Sequence, residues 1–220
     1  MDLGLIAKNA IVFGASSGLG RAAAYSLASE GCNTTLVARD SEKLKIVSNE
    51  ILKVHKVTSD YFVADLTKDH NVSSLMADIS DRKYDILINN TGGPPPSSPI
   101  DTDNNVLDLF VKSILLNTIR ITNSLIPSMI KKNWGRVITI TSSGVVQPID
   151  NLSVSNTLRP AVTGFMKTLS NQVAEHGITI NTVMPGRITT DRTFEVNTQR
   201  AKSLGISYDE AISISSNEIP

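Results

Sequence analysis

Ala10-Ile11-Val12-Phe13-Gly14-Ala15-Ser16-Ser17-Gly18-Leu19-Gly20 is the stretch that decides the fold. Four apolar residues of strand length run into a cluster of three glycines, and Arg21-Ala22-Ala23-Ala24 then continues as a strong helix former. A buried strand therefore turns abruptly into a helix. Gly14 permits the tight turn, Gly18 lets the backbone approach a pyrophosphate, and Gly20 lets the helix pack on the strand. The unpaired N–H groups of the first helical turn face the phosphates. Gly14, Ser16, Ser17, Gly18 and Leu19 thus read as a dinucleotide site, the alternative being a glycine-rich turn that serves packing alone.

Outward from this junction, apolar runs of strand length alternate with helical periodicities. The spacing predicts strands near 9–13, 33–38, 58–64, 85–89, 135–141 and 178–184. Helices are expected at about 18–30, 41–54, 69–80, 103–132 and 157–176, the fourth turning Leu109, Phe110, Ile114, Ile121 and Leu125 to one side. This alternation implies an α/β fold, a Rossmann-type doubly wound parallel sheet in three layers. A length of 220 residues suits one domain, 1–220, able to bury roughly 70% of its unfolded surface. Residues from about 187 to 216 are polar. Beyond Ser203 the periodicity is weak and no apolar strand follows, so either a C-terminal helix and seventh strand are missing or the sheet stops at six strands with an exposed edge.

Charge narrows the partners. The 21 basic residues equal the 21 acidic ones, which leaves no field to draw in nucleic acid or an anionic membrane. A small-molecule ligand suits the chain better. No stretch approaches about 18 apolar residues, and Met1 to Lys8 lacks the pattern of a secretory leader. Cys32 is the single cysteine, so no intrachain disulfide forms. These features lead us to expect a soluble, cytoplasmic protein.

The glycines are spaced Gly-x-x-x-Gly-x-Gly, and here the sequence resembles the short-chain dehydrogenase/reductase family. The resemblance recurs in order along 9 to about 192. Asp65-Leu66 stands where the family places an acid against adenine, and Asn89-Asn90-Thr91-Gly92 is similar to its Asn-Asn-Ala-Gly. Pro185-Gly186-Arg187-Ile188-Thr189-Thr190 resembles its Pro-Gly loop after the sixth strand. By this resemblance Asp65, Leu66, Asn90, Gly92, Pro185, Gly186, Ile188 and Thr190 are cofactor-binding positions. At the end of the second strand, Leu36-Val37-Ala38-Arg39-Asp40, a carboxylate would hold a ribose 2′-hydroxyl and a cation a 2′-phosphate. Arg39 therefore points to NADP, with NAD left as the alternative if Arg39 pairs with Asp40 or Glu42 on the surface.

Family resemblance also implies a carbonyl or alcohol substrate, reduced or oxidised by hydride transfer, and makes about 187–216 the substrate-loop region. A tyrosine activated by a lysine four residues later supplies the family's proton, and a serine thirteen positions before the tyrosine orients the substrate oxygen. Aligned on Gly135 to Ser142, the substrate serine is Ser142, the tyrosine position holds Ser155 and the lysine position holds Arg159. The family's asparagine falls on Ile114, with Asn117 one turn further along. The chain looks most like atypical 3-oxoacyl-ACP-reductase-like members that share Thr-Gly-Gly-Pro-Pro-Pro and a Ser-x-x-x-Arg replacement.

These substitutions differ in severity. Arg159 still offers donors and charge to the ribose of the cofactor. Ser155 is shorter than tyrosine by a ring and far less acidic, so another donor is required: a water between Ser142 and Ser155, or Tyr208 or Asp150 brought over the site. Pro160 means that the helix either starts there or begins earlier and kinks. Val162, Phe165, Met166, Leu169 and Val173 form an apolar stripe that reads as core. His55, His70 and His176 fall on solvated surface, and no metal site is expected. The resemblance implies a homodimer or homotetramer through the helix at 103–132 and the one after it. Two functions remain open: an oxidoreductase with an altered site, or a non-catalytic NAD(P)-binding sensor or scaffold.

Overall fold

The computed structural model describes residues 1–217. Six parallel strands, β1 (Asn9–Phe13), β2 (Asn33–Ala38), β3 (Ser59–Val63), β4 (Ile86–Asn90), β5 (Gly135–Ile140) and β6 (Ile178–Val183), form one sheet in the order β3-β2-β1-β4-β5-β6. The order reverses beside β1, so a crevice opens at the carboxyl ends of β1 and β4, next to the glycine turn.

Helices α1 (Gly18–Ser29), α2 (Ser41–His55) and α3 (Asp69–Ser80) follow the first three strands. A helical rod then runs from Asn104 to Lys132 as α4 (Asn104–Phe110), a π-helical stretch at Val111–Leu116, and α5 (Asn117–Lys132). Helix α6 (Ser153–Val173) precedes β6. Strand alternation distributes the core: Ala10 and Val12 of β1 pack with Ala24, Ala28, Leu44 and Ile51 of α1 and α2. Ile11 and Phe13 point the other way, toward Leu75, Ile79, Ile121, Leu125 and Met166. The predicted stripe of α6 is core, with Val162, Met166, Leu169 and Val173 buried and Phe165 partly so.

Three expectations need correction. Leu109 is 39% exposed although Ile114, Ile121 and Leu125 are buried, because the wider turn at Val111–Leu116 rotates the apolar face between them. Helix α6 begins at Ser153, ahead of the expected 157, and carries Pro160 in its interior. The polar tail, read as weakly periodic, holds two helices, α7 (Asp191–Leu204) and α8 (Tyr208–Asn217); by contacts the chain divides into the units Met1–Met184 and Pro185–Pro220. Thr190 caps α7 by accepting from the Thr193 N–H at 3.3 Å. Ser207 and Glu210 close a reciprocal box at the start of α8, at 2.8 Å and 3.2 Å. No seventh strand occurs among the described residues. By length and composition the rod Asn104–Lys132 could cross a membrane, but its apolar residues Ile114, Ile121, Leu125 and Met129 are buried in the core.

Candidate active site

The glycine turn is held from beneath by β4. Gly14 has φ +63°, and a Cβ there would lie 2.5 Å from Nδ2 of Asn90. At Gly20 a Cβ would lie 2.3 Å from the Gly14 carbonyl oxygen and 2.8 Å from the same Asn90 nitrogen. Asn90 thus packs directly against the turn, and Gly20 is required by the turn as well as by helix packing. Gly18 also has a positive φ, +54°.

The N-terminus of α1 is left open. Ser17, at the cap, closes no side-chain capping bond, and no acidic residue sits in the first turn. By contrast Asp40 caps α2 through the Lys43 N–H at 3.0 Å, with Glu42 beside it, and Asp103 caps α4 through Asn105 at 2.8 Å. Unsatisfied N–H groups carrying the positive end of a helix dipole, with backbone bared by glycine, suit a diphosphate. Ser16, Ser17 and Leu19 are half-buried along this edge and Gly18 is exposed.

Arg39 stands exposed just past β2. Asp40 turns away from it to Lys43, whose ammonium lies at 3.9 Å. Asp65 accepts from both the N–H and the hydroxyl of Thr67, at 2.9 Å and 2.8 Å. Burial works against its charge, but the two Thr67 bonds, with Arg39 and Lys68 nearby, hold its carboxyl below the usual range. Leu66 offers its carbonyl to Nδ2 of Asn117 at 2.8 Å. Gly92 has open space where a side chain would be.

Of the three positions expected to be catalytic, Ser142 stands just past β5, and Ser155 and Arg159 lie on the first two turns of α6. Ser155 is 8% exposed and accepts from Nε of Arg159 at 3.1 Å. Arg159 also reaches the Ile140 carbonyl at 3.4 Å, so both residues are on the helix despite Pro160. Proline costs α6 only the N–H that would have bonded Asn156, and the helix is tied down before that point. Ser97 and Leu152 form a parallel bridge, and the Ser153 hydroxyl lies 2.9 Å from that of Ser97 and 2.8 Å from that of Thr102. The stiff Pro94-Pro95-Pro96 segment therefore anchors the start of α6.

Ser142 accepts from the Gly144 N–H at 3.1 Å. Asn156, which sequence reading passed over, pins the same loop: its Nδ2 donates to the Ile149 carbonyl at 2.8 Å and its Oδ1 accepts from the Ile149 N–H at 3.3 Å. A Cβ at Gly144 would meet that Oδ1 at 2.7 Å. A carboxamide directly after Ser155 was the available signal. Behind Arg159 lies a cavity of about 10 Å³, near the lower limit for one water, walled by Asn89, Thr91, Thr118, Thr139 and Thr141 with Ile114. Asn89 donates to Thr122 at 3.0 Å and Thr139 at 3.3 Å. Asn117 faces Leu66, so Ile114, which fills the asparagine position, borders this cavity and Asn117 does not.

Pro185, Gly186, Ile188, Thr190 and Tyr208 belong to the second unit, where the Tyr208 ring packs on Phe194 at 5.1 Å. Asp150 is exposed. His55 packs edge-on against Tyr25, His70 is exposed, and His176 lies 3.7 Å from Glu175. Among the described residues no three His, Cys, Asp or Glu side chains gather as metal ligands.

Comparison with known proteins identifies the family and the fold. The family model described as short chain dehydrogenase matches residues 8–201. The chain is 30% identical over 210 residues to the D-beta-hydroxybutyrate dehydrogenase of Rhizobium meliloti (strain 1021), covering 93% of this chain and 81% of that one. It is 28% identical over 192 residues to the inactive hydroxysteroid dehydrogenase-like protein 1 of Homo sapiens, covering 86% of this chain and 58% of that protein. Among solved structures, L-sorbose reductase from Gluconobacter frateurii, complexed with NADPH and L-sorbose, superimposes with a TM-score of 0.90 at 25% identity, over 99% of this chain and 84% of its own. An actinorhodin polyketide ketoreductase with NADPH gives 0.88 at 27% identity, over 97% and 83%.

Proposed function

Because the chain belongs to the short-chain dehydrogenase/reductase family, we propose that it is an NADP-dependent oxidoreductase acting on a carbonyl/alcohol pair through an altered catalytic site. The observation that carries the proposal is the open, acid-free N-terminus of α1 behind Gly14, Gly18 and Gly20. Gly14, Ser16, Ser17, Gly18 and Leu19 take the diphosphate. Arg39, whose neighbour Asp40 is engaged with Lys43, takes the 2′-phosphate with its guanidinium fork, and NAD is the weaker alternative. By the family resemblance Asp65 and Leu66 border the adenine, and Asn90, Gly92, Pro185, Gly186, Ile188 and Thr190 are further cofactor-binding positions.

When bound, the nicotinamide supplies or accepts the hydride. Ser142 orients the substrate oxygen, and Arg159 donates to the ribose and supports charge that develops near Ser155. A proton must still reach the substrate oxygen, and an aliphatic hydroxyl is too weak an acid to lead the transfer. Ser155 therefore serves as a relay for a water rather than as the source. A small-molecule carbonyl or alcohol is the substrate class of this reading, with 187–216 as the substrate-loop region of one 1–220 domain. A homodimer or homotetramer is proposed through the faces of α5 and α6, where a groove of about 430 Å³ is lined by Ile126, Pro127, Ile130 and Leu169. A cytoplasmic location fits the neutral charge and single buried cysteine.

A second reading keeps the cofactor and drops the chemistry, giving an NAD(P)-binding sensor or scaffold. The replacement of the acid by Ser155, already engaged by Arg159, favours it. Quench of NADPH fluorescence measures binding, and loss of NADPH absorbance with a panel of aldehydes and ketones measures turnover. Both signals are expected. Binding without turnover on any carbonyl selects the second reading, and no binding of either nucleotide overturns both.

A further inference from the structure

We propose that Asn156 is a positioning residue, which holds Ser142 so that its hydroxyl hydrogen is free for the substrate oxygen. The assignment deepens the oxidoreductase reading and rests on it. A chain of contacts from one side chain to the other carries it. The Asn156 carboxamide grips the backbone of Ile149 twice, its Nδ2 donating to the carbonyl at 2.8 Å and its Oδ1 accepting from the N–H at 3.3 Å. That same Oδ1 abuts Gly144, where a Cβ would lie 2.7 Å away. The Gly144 N–H in turn donates to Oγ of Ser142 at 3.1 Å.

Each link needs the one before it. Gly144 is buried and its φ is not positive, so the missing side chain serves close approach to Asn156 rather than an unusual backbone conformation. The loop 142–152 is tied at its far end by the Ser97 N–H, which donates to the Asn151 carbonyl at 2.8 Å, and by the bridge between Ser97 and Leu152. Between these points Val146, Gln147 and Pro148 are exposed. Hydrogen bonds more than packing therefore set the path of this turn, and the Asn156 clamp spans its middle.

The clamp has a chemical consequence. A hydroxyl has one hydrogen to donate, and with the Gly144 N–H already on its oxygen, Ser142 keeps that hydrogen for another acceptor. Negative charge develops on a carbonyl oxygen as it is reduced, so a donor held in place there strengthens toward the transition state. A carboxamide suits the clamp because it carries a donor and an acceptor side by side, matching the C=O and N–H of one residue, whereas a carboxylate can only accept. Asn156 acts through Gly144 and Ser142 and itself touches no reacting atom.

The test is a double-mutant cycle on the full chain, read by single-turnover oxidation of NADPH with enzyme in excess. The carbonyl used is the one that the wild type reduces fastest in a panel of aliphatic aldehydes and cyclic ketones. Asn156→Ala is expected to lower the rate constant roughly 10–100-fold, as misplacing an orienting group does, with NADPH affinity by fluorescence unchanged. Ser142→Ala is expected to lower it at least as far. Adding Asn156→Ala to Ser142→Ala is expected to cost nothing more, because the route through Ser142 is already gone. A carboxamide that merely supported the fold would show its loss in both backgrounds. Hydrogen exchange reads the clamp without turnover: the Ile149 amide should exchange faster in Asn156→Ala than in the wild type or Ser142→Ala. Asn156→Asp, which keeps the size and loses the donated bond, is expected to give the same pattern and serves if Asn156→Ala does not fold. An unchanged rate, equal losses in both backgrounds, or an Ile149 amide that stays protected overturns this assignment and leaves the oxidoreductase reading standing. A wild type that reduces no carbonyl in the panel overturns both, and that result is seen before any variant is made.

Discussion

Arg159 donates its Nε to the Ser155 hydroxyl at 3.1 Å, one helical turn away on α6. That bond fixes both side chains at the end of β5 and uses the serine oxygen as an acceptor, so these two positions offer a guanidinium and an aliphatic hydroxyl where the family has an ammonium and a phenol. If the missing acid is what limits turnover, Ser155→Tyr with Arg159→Lys supplies it. General acid catalysis contributes roughly 10²–10⁴-fold, and a gain on the order of 10²-fold in carbonyl-dependent NADPH oxidation is the expected result. A double variant that binds NADPH with wild-type affinity and gains nothing would show that the space around Ser142 no longer accepts a substrate.

Most of this architecture was legible because buried parallel strands and amphipathic helices write different periods into the chain. Helix α3 was read at its observed bounds, and β1 and β2 likewise, since their signals are local. The start of α6 was not local. It depends on the bridge between Ser97 and Leu152 and on three hydroxyls brought together from distant positions, and Pro160 argued for a later start. The π-helical stretch at Val111–Leu116 left no pattern either, and it leaves the Ser113 hydroxyl buried without a partner. Helix α8 is a different case. Ser207-Tyr208-Asp209-Glu210 is a capping-box sequence in plain view, obscured only by the polar character of the helix it opens. In the site, Ser142, Ser155 and Arg159 could be placed by counting, whereas the grip of Asn156 on Ile149 needed the loop to be folded.

Arg39 should decide between the two dinucleotides. Its guanidinium is exposed past β2, and its nearest acidic neighbour in sequence caps α2 instead. Charge-assisted hydrogen bonds contribute about 1.5–3 kcal/mol, so Arg39→Gln should weaken NADPH binding by roughly 10–100-fold and leave NADH nearly unchanged. Fluorescence titration with both nucleotides checks this. Equal losses for the two would mean that Arg39 acts on the fold or on Asp65 rather than on a 2′-phosphate.

The glycine turn makes a steric prediction with an internal control. Gly20→Ala would set a methyl 2.3 Å from the Gly14 carbonyl oxygen, which cannot move without disturbing the turn. Overpacking of this kind costs about 1–3 kcal/mol, and NADPH binding should be lost with it. Gly164, on α6, has nothing within 4 Å of an added Cβ. There Gly→Ala should stabilise by roughly 0.5–1 kcal/mol through helix propensity. Urea denaturation of the two variants should therefore shift in opposite directions, and a tolerated Gly20→Ala with intact binding would place the diphosphate elsewhere.

Cys32 provides the pH test. It is fully buried, its thiol lies 3.3 Å from the Leu5 carbonyl, and its pKa is pushed up to about 11 from 9.0, first by burial and then by Asp85 and Glu30, against Lys8. Below about pH 9 the thiol is protonated in both folded and unfolded chains, so stability does not depend on it. Between about 9 and 11 the unfolded thiol ionises and the folded one does not. The unfolded state then binds fewer protons, and stability falls as pH rises through that window. Tyrosines and lysines titrate there as well, so the quantity to measure is the difference in urea midpoint between the wild type and Cys32→Ala. The wild type should lose more stability than the variant across the window, and the native thiol should resist aromatic disulfide reagents at neutral pH until the protein unfolds. Identical slopes in the two proteins, or rapid labelling of the folded chain, would mean that water reaches Cys32 beneath the N-terminal segment.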